Sequence, residues 1–332
     1  MLREGAYIFS MYRSFTYLLT LIFVTSFSFG QRLDNTASFR NIAGDNYFRI
    51  HYDNDFWGKT DYYYTQGYNL EIVSPILRNN PVTKALVKLP VANIKYGLAL
   101  EHYGFTPTSI RSNDILVNDR PFAGVIMLKS FSMSTDTVRK QRLTAIVSTG
   151  MIGPAAFAGK MQKTIHSWTG DREPLGWQHQ IRNDLVLNYE LNHEKEIINI
   201  PNIISLNTNM NLRAGTLSDR AVAGFTLTLG RFHSPFSTAK NTSLKNFQIY
   251  FYNQPMAGLV LYDASLQGGI LNRNSLYTLK SSEIKRLTFQ NNFGLVVNVG
   301  KIYAEYYRTY LSKEFRSGRD HLWGGIKVGI GF

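Results

Sequence analysis

The sequence predicts an all-β chain: a closed antiparallel transmembrane β-barrel of about twelve strands, with a short helix in an extracellular loop. Three observations predict it. Apolar and polar residues alternate with period two in successive segments between residues 46 and 332. The composition is rich in aromatics (20 Tyr and 21 Phe) and only 18% charged, as girdles, a lipid-facing band and a polar lumen require. An apolar leader ending in small residues marks the chain for export.

The leader comes first. Met11-Tyr12-Arg13 forms a short basic region, and Ser14 to Phe29 carries no charge. Ser28 and Gly30 stand at the −3 and −1 positions of a cleavage site, so residues 1–30 read as a signal peptide with Met11 as the start. The apolar stretch falls short of the ~20 residues that cross a bilayer. Residues 31–45 follow as a short polar N-terminal segment, and no later apolar run is long enough for a helical span, which excludes a polytopic helical protein. The chain has no Cys, consistent with transit through an oxidising compartment. Its net charge is +13, or +12 without Arg3, Glu4 and Arg13. An exported protein meets anionic lipid headgroups rather than nucleic acid, and we read it as a membrane-embedded monomer of the Gram-negative outer membrane.

In the last segment Leu322, Gly324, Ile326, Val328, Ile330 and Phe332 share one face, and Trp323, Gly325, Lys327, Gly329 and Gly331 the other. The same pattern recurs at 205–213, 221–230 and 286–299. Strands are expected at 46–54, 64–75, 93–104, 121–135, 140–152, 176–193, 201–216, 220–232, 247–265, 284–299, 300–315 and 321–332. In the second, strict alternation puts Tyr64, Gln66, Tyr68, Leu70 and Ile72 on one face and Thr65, Gly67, Asn69 and Glu71 on the lumen face. Residues 154–168 break the pattern: the stretch is Ala-rich and opens on Pro154, as a helix does. Gln162 and His166, four apart, then share a helical face.

Polar clusters concentrate in residues 46–190. Asp53-Asn54-Asp55, followed by Asp61, offers hard oxygen ligands suited to Ca²⁺, although Asp and Asn also favour plain turns. Tyr64-Thr65-Gln66-Gly67 carries a glycine that permits close approach to its carbonyl. Asp119-Arg120-Pro121-Phe122-Ala123-Gly124 reads first as an architectural pair, whereas Arg111 stands freer to meet a phosphate. His166, on a loop helix near a carboxylate-rich strand end, is a reasonable general base, with His179 as its competitor. Ser167 follows His166, but adjacency does not aim a nucleophile at its base, and no Gly-x-Ser-x-Gly elbow is present.

Taken in order, these stretches resemble the outer-membrane lipid A 3′-O-deacylase family, the LpxR-type deacylases. The resemblance rests on Asn54-Asp55, Asp61 with Tyr64-Thr65-x-Gly67, Phe105-Thr106-Pro107, Asp119 to Gly124, Gly153-Pro154 with Gln162 and His166, and Gly176-Trp177-x-x-Gln180. It implies a twelve-stranded barrel with a Ca²⁺-dependent site near its outer-leaflet end, removing the ester-linked 3′ acyloxyacyl group of lipid A. Carried over by position, His166 is the base that deprotonates water, and Asn54, Asp55, Thr65 and Gln162 bind or orient metal, water and substrate. Gly67 lends a carbonyl to the metal. An acidic residue is expected six positions after His166, where Arg172 stands, so Asp171 and Glu173 become the substitute metal ligands beside Asp55. Arg111, Lys163 and Arg172, with Lys160, are positioned to hold lipid A phosphates. The competing readings are an outer-membrane phospholipase with a serine nucleophile and a non-catalytic pore on the same scaffold.

Overall fold

The computed structural model describes residues 35–55, 62–90, 92–236 and 247–332. The predicted signal peptide and Asp61 lie outside the described residues. Among those described, no helix is long and apolar enough to cross a membrane. The chain crosses with strands.

Twelve of them close a barrel in which every neighbour pair is antiparallel and consecutive, with β1 meeting β12. The strands are β1 (Tyr47–Asn54), β2 (Tyr63–Val73), β3 (Asn93–Thr106), β4 (Ala123–Asp136), β5 (Gln141–Ile152) and β6 (Asp184–Ile200). They continue as β7 (Ile204–Gly215), β8 (Ser218–Arg231), β9 (Phe247–Asp263), β10 (Leu287–Val299), β11 (Ile302–Leu311) and β12 (His321–Gly331). Closure leaves no unpaired edge, the condition for spanning a bilayer with strands. The expected boundaries agree within a few residues except at β6, which starts at Asp184 rather than 176. The reason is local: Gly176 sits at φ +93° and opens a short 3₁₀ turn, Trp177–His179, that a strand could not accommodate.

The two faces separate as the alternation requires. Ile326, Val328 and Ile330 on β12, Met210 and Leu212 on β7, and Leu185 and Leu187 on β6 point outward to lipid. Lys327, Asn207, Asn209 and Glu190 point into a polar lumen. One end carries the connections 107–122, 153–183 and 264–286; the other carries both termini and most of the short turns. Long loops mark the extracellular end.

Both mouths are filled. On the terminal side, residues 35–42 fold into the lumen, where Ser38 donates to Glu194 and Arg40 donates to Glu305 at 2.9–3.0 Å. On the extracellular side, Asp119 accepts from the Thr108 backbone N–H, while the fully buried Arg120 turns away from Asp119. Arg120 pairs with Glu314 in the 312–320 loop, bonds Ser265 at 2.7 Å and lies 3.8 Å from the Phe105 ring. Asp119-Arg120 is therefore the architectural fastening of three loops. Between the two stoppers lies a small cavity of about 60 Å³, with Glu71, Glu101, Lys129, Glu190 and Arg213 among its lining residues.

On the outer wall near the terminal end, the 74–90 connection folds back over the strands. Its Asn80 amide donates to Ser130, and the Tyr189 hydroxyl donates to the Ala85 carbonyl. Ser130, Ser132 and Ser134, which face outward on β4, are buried.

Candidate active site

The 153–183 loop holds the expected helix, but in two pieces. A 3₁₀ turn (Pro154–Ala156) precedes Phe157 at φ +48°, and then α1 runs from Ala158 to Thr169. Gly170, left-handed at φ +75°, ends it and returns its N–H to the His166 carbonyl. The broken entry matters because it lays α1 flat on the outside of the barrel.

What receives the helix is a pair of glycines. Gly104 on β3 and Gly124 on β4 are directly paired, and both belong to the outward rows of their strands. Ala158 occupies the flat place they leave: a Cβ added at Gly124 would stand 2.7 Å from the Ala158 Cβ, and one at Gly104 would stand 3.4 Å away. Gly159 similarly clears the Trp177 ring, which packs tilted against Phe122 with centroids 4.9 Å apart. Ile110, Phe122, Ala158 and Trp177 form the small apolar core beneath the loop. His102, also outward on β3, donates to the Ala156 carbonyl at 2.7 Å and stacks on Phe157 at 4.9 Å.

Strand β2 corrects the simple alternation. A bulge between Tyr64 and Gln66 inserts one extra residue opposite β3. Tyr64 consequently turns into the lumen, where its hydroxyl donates to Asp53 at 2.8 Å. Thr65, expected in the lumen, turns outward beneath α1 and accepts from the Gln162 side chain at 3.3 Å. Gly67 does face the lumen, and a Cβ there would overlap the Tyr64 hydroxyl, so its glycine serves that internal bond.

Gln162 is the pivot. It is almost fully buried, its amide N–H bonds Thr65, and its carbonyl accepts from the Trp177 indole at 2.7 Å. Helix, strand and the 177–179 turn meet at this one side chain. One turn later His166 is half-buried, and its Nδ1–H donates to the main-chain carbonyl of Arg172 at 2.6 Å. That bond fixes the tautomer and leaves the Nε2 lone pair as the basic atom. The group that orients the ring is thus a backbone carbonyl, which any side chain at position 172 would provide. Sequence reasoning had no signal for it, because a carbonyl is present at every position.

The remaining site residues fall as follows. Asn54 ends β1 on the outer face and pairs laterally with Gln66. Asp55 is buried, and its carboxylate accepts the Tyr62 N–H at 2.9 Å. Arg111 is exposed and adjoins Ile110, whose carbonyl accepts the Leu175 N–H at 2.8 Å, so the two loops run side by side. His179 donates to the Asn113 carbonyl at 2.8 Å, which ties the same loops together. Arg172 is exposed, and Lys163 pairs with Glu173 at 2.7 Å on the surface, an arrangement worth ~0–1 kcal/mol. Asp171 accepts from Thr169 at 2.6 Å.

These contacts bear on calcium. Ca²⁺ takes six to eight oxygens, usually several carboxylates. Asp171 and Glu173 are engaged with Thr169 and Lys163, and among the described residues no three His, Cys, Asp or Glu gather. As arranged, the Asp171 and Glu173 carboxylates are committed to Thr169 and Lys163, and no step below passes through a metal.

With the fold and the outer-wall helix in view, comparison decides the family. A family model described as "Outer membrane protein LpxR" matches residues 18–332. The chain belongs to the LpxR family. Among solved structures it is similar to LpxR from Salmonella typhimurium at 17% identity and a TM-score of 0.70, covering 86% of this chain and 100% of that one. The β domain of the Bordetella autotransporter BrkA aligns at 8% identity and a TM-score of 0.44. No curated protein sequence matches. Membership in the LpxR family places the protein as an integral outer-membrane β-barrel, in contact with outer-leaflet lipid, within a family of lipid A-modifying enzymes.

Proposed function

We propose that this LpxR-family protein hydrolyses the ester-linked 3′ acyloxyacyl group of lipid A in the outer leaflet. The observation that carries the reading is His166: an imidazole oriented by the Arg172 carbonyl, on a helix fixed to the lipid-facing wall. A base there meets a substrate that is already in the membrane, with its acyl chains alongside the apolar strands.

In this mechanism His166 Nε2 takes a proton from water as the water attacks the ester carbonyl, and the protonated ring then returns a proton to the departing sugar oxygen. The tetrahedral intermediate carries negative charge on its oxygen, which amide and hydroxyl groups along the Asn54, Thr65 and Gln162 edge are chemically suited to stabilise. Asp55 closes the adjacent loop. Arg111, Lys163 and Arg172, on exposed ground around α1, attract the phosphorylated headgroup. Dependence on Ca²⁺ is proposed from the family resemblance alone. The filled mouths favour this reading over an open pore.

The test is the lipid A of cells expressing the protein, measured by mass spectrometry. Loss of a 3′ acyloxyacyl group is expected, and His166→Ala should reduce the rate by ~10²–10⁴-fold. Equal deacylation by His166→Ala cells would refute the assigned base. Labelling by a serine-directed fluorophosphonate would instead favour a phospholipase.

A further inference from the structure

An arginine stands on the lipid-facing wall where the proposed chemistry gives it no role. Arg308 lies on β11, in the outward row with Ile302, Ala304 and Tyr306, while Tyr303, Glu305, Tyr307 and Thr309 on the same strand are buried inward. A cation facing lipid costs ~2–4 kcal/mol at the bilayer midplane and falls to ~0–1 near the interfaces. Its outward neighbours on the strand are Tyr306 and Tyr310, and aromatic residues of this kind sit at headgroup level.

Pairing across the strands fixes where this arginine stands relative to the site. Arg308 pairs with Gly324 on β12, and Gly324 pairs with Asn54 on β1. Asn54 pairs with Gln66 on β2, Gln66 with Gly104 on β3, and Gly104 with Gly124 on β4, where α1 is seated. All are members of one lateral row on the outer face. Strands are ~4.8 Å apart, so the Arg308 and Asn54 backbones are about 10 Å apart. The single position between them is a glycine, which contributes no side chain. A guanidinium on a long flexible stem covers that interval readily.

We infer that Arg308 is a substrate-positioning residue: it binds a phosphate of the lipid whose ester lies at the Asn54–α1 end of the row. The inference rests on the lipid A reading and extends it to the far side of the site. A phosphate monoester in a low-dielectric interface offers two oxygens to the guanidinium fork, the pairing for which arginine is suited. Headgroup and ester would then be held from opposite ends of one row, with α1 on one side and Arg308 on the other. The acyl chains would run down the apolar strands between them.

The experiment uses full-length protein in detergent micelles and three substrates: lipid A with both phosphates, lipid A lacking the 1-phosphate, and lipid A lacking the 4′-phosphate. Arg308→Ala should lower kcat/KM on the bisphosphorylated substrate by about 10-fold or more, chiefly through KM. That penalty should vanish on one of the two monophosphorylated forms, and Arg308→Lys should recover part of it. Heat-modifiable migration on SDS gels checks that each variant is folded. An equal penalty on all three substrates, or none, overturns the inference. Native mass spectrometry of bound bisphosphorylated lipid A, wild type against Arg308→Ala, reads binding without turnover. If wild type binds but does not hydrolyse, the deacylase reading fails and weaker binding by the variant still supports the anchor. If phosphatidylglycerol binding falls equally, Arg308 is a general headgroup contact and the assignment is wrong.

Discussion

Replacing Gly124 by Ala adds one methyl group, yet it should disable the site. The new Cβ would stand 2.7 Å from the Ala158 Cβ and 3.5 Å from the Ala158 nitrogen. Carbon atoms rest at ~3.5–4.0 Å, so α1 must lift by about 1 Å at its first residue. The Gln162–Thr65 bond is already 3.3 Å long and would pass beyond hydrogen-bonding reach with the same displacement. Overpacking of this kind costs ~1–3 kcal/mol, whereas a 1 Å misplacement of catalytic groups costs ~10²-fold in rate. We therefore expect Gly124→Ala to remain a folded, heat-modifiable barrel while lipid A deacylation falls by about two orders of magnitude. Because the clash is with the Ala158 methyl, Ala158→Gly in the same chain should restore most of the activity. The assay is the rate of acyl release from purified lipid A, with both variants and the double variant run together. Wild-type rates in Gly124→Ala, or a loss that Ala158→Gly does not relieve, would refute the docking argument.

Arg172→Ala should keep most activity, with a rise in KM of a few fold, because the carbonyl that orients His166 survives the change; a loss comparable to that of His166→Ala would mean the side chain acts directly. Arg120→Ala should destabilise the barrel by about 3 kcal/mol, since it strands the Glu314 carboxylate in the loop plug. Burial pushes the Glu314 carboxyl above its ordinary value, with Arg120 opposing the shift. A carboxyl raised in the folded state destabilises at neutral pH and ceases to do so as pH falls through that raised value, so the penalty should shrink in acid thermal melts. Removal of divalent ions by EDTA should abolish deacylation and added Ca²⁺ should restore it; full activity in EDTA would remove calcium from the proposal.

How much of this was legible in the sequence depended on the period of the signal. The barrel was written in strict alternation, a local property of the chain, and β7 and β12 follow it residue by residue. The helix was legible because residues 154–168 lack that alternation. The place of the helix was not, since lying on the outer wall depends on Gly104 and Gly124, far apart from it in sequence and meaningful only when paired. The β2 bulge shows the limit most clearly. One extra residue at Thr65 inverts the faces of Tyr64 and Thr65, and nothing local in Tyr64-Thr65-Gln66-Gly67 announces it.

The sequence by itself determined a closed outer-membrane barrel, its family, and the residue types from which a site would be built. Only the tertiary structure decided that Asn54, Thr65 and Gln162 stand on the lipid-facing wall rather than in the lumen. Only there does His166 acquire its orienting partner in a backbone carbonyl, and does Arg308 join the row of Asn54. Strand periodicity is set by the pleat of a single segment, whereas register, bulges and helix docking are set by contacts between segments that the chain brings together only on closing the barrel.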